Sequence, residues 1–274
     1  MLTTSYNGEV ALEREELFFL AGILGSDRLL GVDDPFKGFL SEEIVQEWEK
    51  SKQSLLSKGY LIQAENGVEL LIPPEVFSRV AIAGLAERAC WISYRTQEDS
   101  YEGYMHITDE KVVEVQQPRD QVNLYELREK GTIPVACDDL VQRMKWNDKS
   151  PGNMPALLLS RAKFNELYNS SSTLSMDEMS SVLVELTDDP EGSLALAKSL
   201  KHRLCDGELQ LSVWNGQAWD TQGAAFLIND HVNWLIRRSS REEDDWLIAT
   251  PTTREQFQSM LLLWLERPSQ TEER

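Results

Sequence analysis

The chain has 274 residues, 41% hydrophobic and 27% charged, with a formal net charge of −19. That length can bury a large core in one domain or two, and without low-complexity tracts the chain reads as mainly globular. A field of this sign repels a polyanion, so nucleic-acid binding is disfavoured, and so is an anionic membrane surface.

The beginning, "MLTTSYNGEVALEREELFF", has no basic segment before an apolar run and does not read as a signal peptide. No stretch approaches the roughly 20 apolar residues that span a bilayer. Cys90, Cys137 and Cys205 are far apart and form no C-x-x-C pair, which fits a reducing, cytoplasmic setting. "ALEREELFFLAGILG" (11 to 25) carries Leu12, Glu16, Phe19, Leu20 and Ile23 at helical spacing and ends at Gly25. After an irregular stretch around Asp33-Asp34-Pro35, Ser41 and two following acids open a second helix. Its apolar side is Ile44, Val45, Trp48, Leu55 and Leu56, and Gly59 ends it. "YLIQAENGVELLIPPE" is a hairpin turning at Asn66-Gly67, and Pro73-Pro74 starts a helix with Val76, Val80, Ala83 and Leu85 on one side. Helix, helix, hairpin is the order of a winged-helix segment.

"CWISYRT", "YEGYMHIT" and "KVVEVQQ" read as three antiparallel strands joined by short polar turns, and Cys90 reads as a small buried hydrophobe. Pro118 ends the third strand, and "RDQVNLYELREKG" reads as helical up to Gly131. "TIPVACDDLVQRMKW" is a short helix and "NDKSPGN" a linker. "MPALLLSRAKFNELYN" reads as helix, "SMDEMSSVLVEL" as helix or strand with helix favoured, and "DPEGSLALAKSLKHRLCDG" as a helix ending at Gly207. Strands return at 208–215, 217–229, 232–240 and 244–251, with turns at Asn215-Gly216 and Asn229-Asp230. In the last helix Thr252 and Glu255 form a capping box. Phe257, Met260, Leu261 and Trp264 make one stripe, while Leu262, Leu263 and Leu265 widen it enough to need cover from two directions.

These elements make an α+β chain with a mainly antiparallel sheet. The divisions expected are 1–131, a helical connecting region 132–207, and 208–274, in one quasi-twofold unit. "VVEVQQPRDQV" and "WLIATPTTREQF" each end a strand at proline before an acid-Gln-apolar triplet, Asp120-Gln121-Val122 and Glu255-Gln256-Phe257. Either a duplicated β-β-β-α unit or the chance recurrence of a common pattern accounts for this.

No P-loop, G-x-G-x-x-G, G-x-S-x-G or H-E-x-x-H occurs, and His106, His202 and His231 have no metal-ligand spacing. No catalytic, cofactor or metal site is expected. The best basic patch, Arg237-Arg238, is followed by Glu242, Glu243, Asp244 and Asp245, which reads as a charged hairpin tip. Trp214, Trp219, Trp234 and Trp246 lie on the C-terminal strands with Trp264 on the last helix, so that sheet is a thick core or a binding face. As a binding face, Trp214, Trp219 and Trp234 are the candidate partner contacts, and Trp219 lies nearest the surface beside Asp220, Thr221 and Gln222.

The order of elements resembles the EspG family of type VII secretion chaperones. The matching stretches are "REELFFLAGILG", "LLSKGYL", "WISYRT", "YMHIT", "VVEVQQP" and "NWLIRRSSREEDDWLIATPTTREQFQSMLLLWL". The resemblance implies an α+β fold with quasi-twofold halves, no enzyme activity, a cytosolic location, and a small helical-hairpin protein as partner. The rival functions are a winged-helix regulator built on residues 11–88, whose second helix faces outward with Glu42, Glu43, Glu47 and Glu49, and an enzyme assembled from distant loops.

Overall fold

The computed structural model describes residues 9–26, 28–65, 69–239 and 245–268. The chain opens with β1 (Glu9–Glu13), α1 (Arg14–Ile23), α2 (Ser41–Lys58), the hairpin β2 (Ile62–Gln63) and β3 (Leu70–Leu71), and α3 (Pro74–Leu85). Four strands follow, β4 (Arg88–Thr96), β5 (Ser100–Ile107), β6 (Val112–Gln116) and β7 (Leu124–Gly131), then α4 (Ile133–Arg143). The second series is β8 (Leu157–Ser160), α5 (Arg161–Asn169), α6 (Met176–Thr187) and α7 (Pro190–Lys201). It continues through β9 (Cys205–Trp214), β10 (Trp219–Ile228), β11 (Asn233–Arg238), β12 (Trp246–Pro251) and α8 (Arg254–Leu265). With the β2–β3 hairpin set aside, the order strand, three helices, four strands, helix occurs twice.

Ten strands form one antiparallel sheet in the order β1-β7-β6-β5-β4-β9-β10-β11-β12-β8. The order reads the same outward in both directions from the central β4–β9 pair, which places equivalent strands at equivalent distances from the centre. Several expectations change on this frame. Residues 124–131 are a strand, not a helix, paired with β1 on one side and β6 on the other. Each four-strand run therefore precedes a helix, so the unit is β-β-β-β-α. Asp120-Gln121-Val122 leads into a strand while Glu255-Gln256-Phe257 opens a helix, and the two triplets are not equivalent. Residues 11–13 and 157–160, read as parts of helices, belong to edge strands, β1 and β8, that run directly into α1 and α5. The 132–207 region, expected as a helical connector, holds the helix ending one series and the strand and helices beginning the other. The helix expected to end at Gly207 stops at Lys201, and Cys205 to Gly207 belong to β9.

Local chemistry explains most boundaries. Gly59 takes φ +74° at the end of α2, as expected for its glycine. Leu40 is the N-cap of α2, and Glu43 accepts the Leu40 backbone N–H at 2.8 Å, so Ser41 is the first helical residue instead of the cap. At α8 the capping box is Thr253 with Gln256, not Thr252 with Glu255: Gln256 N–H donates to Thr253 Oγ1 at 3.1 Å and Thr253 N–H to Gln256 Oε1 at 3.0 Å. The Asn215 turn holds as read, with Gly216 at φ +92° and Asn215 Oδ1 accepting from Gln217 and Ala218. Asn66-Gly67 and Glu242 to Asp244 lie outside the described residues.

Register assigns each side chain to a face. On one face, Ile92, Tyr94, Met105, Ile107, Leu209, Leu211 and Phe226 pack under α4 and α8. Trp146 stacks on Phe257 with centroids 3.9 Å apart. The α8 stripe is thus covered by the sheet and by the neighbouring α4 region; Phe257, Leu261 and Leu265 are buried while Leu263 stays exposed. On the opposite face, α1–α3 pack through Leu17, Leu20, Val76 and Val80 on β1, β6 and β7. The N-terminal helices therefore share the sheet's core and close none of their own as a separate winged helix would. On α2 only Ser51 and Leu55 are buried and Val45 is exposed; Leu85, expected inside on α3, is exposed too. At the other end of this face α5–α7 pack on β8, β10, β11 and β12 through Leu159, Leu183, Leu196, Leu227 and Ile236.

A buried charge cluster ties α4 to the sheet. Glu114 on β6 is 2% exposed, accepts the Tyr101 hydroxyl at 2.6 Å and pairs with Arg143 at 2.7 Å. Burial, then the adjoining Glu114 charge, raises the Tyr101 pKa and keeps it a donor. Glu114→Ala would leave a guanidinium and a hydroxyl facing an apolar layer. A loss of about 3 kcal/mol in urea unfolding is expected; a loss under about 1 kcal/mol would show that water replaces the carboxylate.

Candidate functional site

The two groups of helices on the second face sit at its two ends and leave the central pair β4 and β9, with part of β5 and the start of β10, without a helix above them. The result is a trough whose floor is a run of register-matched rows. One row is Tyr104, Trp91, Gln210 and Gly223, the next is Glu102, Ser93, Glu208 and Ala225, and beyond it come Ser100, Arg95 and Asp206. Trp214 and Trp219 are direct cross-strand partners, packed edge-to-face at 5.4 Å. An antiparallel sheet can leave one face to water; on this one Arg95, Glu102, Glu208, Gln210 and Thr221 are exposed, but Trp91, Tyr104, Trp214 and Trp219 stand half-buried among them.

The walls are built by named contacts. Arg28 lies over the Trp214 ring at 4.4 Å, and Gly31 abuts the Tyr104 ring so closely that any side chain there would collide with it. Gly31 also has φ +83°, a conformation glycine alone takes without strain. On the other side Tyr168 of α5 donates to Asp206 at 2.5 Å and accepts from Arg95 at 2.8 Å, with Arg203 over its ring. A hollow of about 410 Å³ opens from the floor towards β6 and the 116–122 loop, lined among others by Ser93, Glu102, Tyr104 and Tyr125. A second hollow of about 430 Å³ lies at the β8 edge, where Arg161 and Asp245 already pair at 3.0 Å.

Of the three tryptophans expected to contact a partner, Trp214 and Trp219 lie at one end of the trough. Trp234 does not. It is fully buried against α7 with its indole N–H donating to Ser199 Oγ at 2.9 Å, because its row continues from Leu227 beneath the α5–α7 group. Trp91, Tyr104, Glu102 and Glu208 were missed. For Trp91 and Glu208 the signal was the alternation within "CWISYRT" and "ELQLSV", in which every second residue is polar or aromatic; Glu102 and Tyr104 lie in "YEGYMHIT". All three cysteines are buried, and burial pushes each thiol up to about 12, so they act as small apolar side chains.

His106 sits beneath the wall. It is fully buried, hydrogen-bonded to the Leu30 backbone, with Nε2 unpaired among the described residues, and burial brings its pKa down to about 4. Since the unfolded side chain titrates near 6.5, acid protonates the unfolded state first. The stability His106 contributes is complete above pH 6.5 and is lost as pH falls towards 4, by roughly 3 kcal/mol in all. The difference in unfolding free energy between the wild-type chain and His106→Gln should therefore shrink over that window; a constant difference would contradict the shift.

No family model and no curated protein matches the sequence. Among solved structures the fold is similar to that of the Mycobacterium tuberculosis type VII secretion system chaperone EspG5, in complex with the PE25–PPE41 dimer. The TM-score is 0.61 at 9% identity, over 94% of this chain and 94% of that chain. The chain has the fold of a type VII secretion chaperone. The similarity covers nearly the whole chain, and no helix of the described residues is long and apolar enough to cross a membrane.

Proposed function

We propose that the chain is a cytoplasmic chaperone or adaptor that holds another polypeptide in the trough, and that it performs no reaction. The trough carries this reading. A sheet that covers its other face and both ends of this one leaves its centre open, with four aromatic rings half-exposed among polar side chains. That is the composition of an interface core with a polar rim. The similarly folded EspG5, captured with the PE25–PPE41 dimer, supports a protein as occupant. A trough framed by helices suits the end of a small helical hairpin better than an extended strand, because the floor strands already pair on both edges and offer no free backbone.

The test is affinity purification of the tagged chain from its native cell, beside Trp91→Ala. Recovery of one small helical protein by the wild-type chain and its loss from the variant supports the reading. Repeated recovery of bare monomer, or equal recovery by both, overturns it.

A further inference from the structure

The trough floor also specifies the chemistry of what it receives. Across one register row stand Glu102, Ser93 and Glu208, on β5, β4 and β9. Neighbouring strands lie about 4.8 Å apart, so the two carboxylate-bearing positions are roughly 10 Å apart with a short side chain between them. Both glutamates are exposed, and no lysine or arginine of the described residues pairs with either. Trp91 Nε1 donates to Glu102 Oε1 at 3.2 Å, which holds that carboxylate beside the aromatic row. The adjoining row is already neutral and closed: Arg95 pairs with Asp206 at 3.1 Å and Tyr168 bonds both. The uncompensated negative charge of the floor is thus concentrated where the serine leaves a gap; the hollow that begins there is lined by Ser93, Glu102 and Tyr104 and by two arginines, Arg95 and Arg119, that are already paired with Asp206 and Asp99.

We infer that the partner places a lysine or arginine over Ser93, between Glu102 and Glu208, with the stem or guanidinium of that residue against Trp91. This rests on the docking reading above. A purely apolar occupant would strip water from two carboxylates and give them nothing in return, whereas a cation turns the same burial into two charge-assisted contacts and an aromatic one. The gap suits a single long basic side chain, whose methylenes can lie on the indole while its head reaches the carboxylates.

The experiment uses a displayed helical-hairpin library with a randomised tip, selected on the full chain. Binders are then measured on the wild type, on Trp91→Ala and on Glu102→Gln/Glu208→Gln. The expected result is that binders fail on Trp91→Ala, are enriched in Lys or Arg at the tip, and weaken at least roughly tenfold on the double variant. Binders that need Trp91 but show no basic enrichment and bind the double variant within about twofold overturn the cation and leave the docking reading standing. Binders indifferent to Trp91, or none at all, overturn both.

Discussion

Trp234→Ala is expected to lower the unfolding free energy by about 3–5 kcal/mol, among the largest effects available to a single substitution in this chain. The side chain has no exposed area and sits in the layer between β11 and α7 with Leu227, Ile236, Leu196 and Leu200. Its indole N–H is also part of a small polar network. Ser199 Oγ accepts from Trp234 and from Asn229 Nδ2, the latter at 3.0 Å, and itself donates to the Ala195 carbonyl. Asn229 Oδ1 in turn accepts the backbone N–H groups of His231 and Val232 and so shapes the β10–β11 turn. Truncation would open a cavity the size of an indole and loosen that turn. Urea unfolding checks this, with Trp234→Phe expected between the two, since it fills most of the space and loses only the donor. A cost below about 1 kcal/mol would mean that the ring is a surface group after all.

Trp91→Ala is expected to act the other way round, weakening the partner by at least roughly 30-fold while changing stability by less than about 1.5 kcal/mol. Trp91 lies in the middle of the trough on a central strand, between Tyr104 and Gln210, and is half-buried with one polar contact, to Glu102. An aromatic side chain at the centre of an interface, ringed by polar groups that exclude water, is where binding energy concentrates. Trp219→Ala should cost less, because it stands at the rim beside Trp214, whose ring already carries Arg28. Titration calorimetry with the purified partner separates the two; equal losses at both positions would move the centre of the interface towards the β9–β10 turn.

What could be read from residues alone was whatever is settled within one element. β4 and β9 alternate, the other strands of the β4–β6 and β9–β12 runs carry apolar residues bounded by turn residues, and α4 and α8 have clear apolar faces, so these segments carry their own signal. The antiparallel α+β class and the order of most elements follow from them. Three strands were not legible, for one physical reason. β1 and β8 are edge strands of five and four residues that pass directly into helices, and β7 is rich in Leu, Glu, Arg and Lys, which favour helix in isolation. Their extended form comes from backbone pairing with partners distant in sequence, Leu12 with Tyr125 or Leu247 with Leu159, and no local pattern encodes a partner. The same holds for the site. The alternation in β4 and β9 shows that each has a polar and an apolar face, but it cannot say which face lies open. The tertiary arrangement decided that by seating α1–α3 and α5–α7 at the two ends of one face, which buries Trp234 and leaves Trp91 half-exposed. Burial belongs to the whole packed sheet, and two tryptophans with similar strand neighbours part company only when the helices above them are in place.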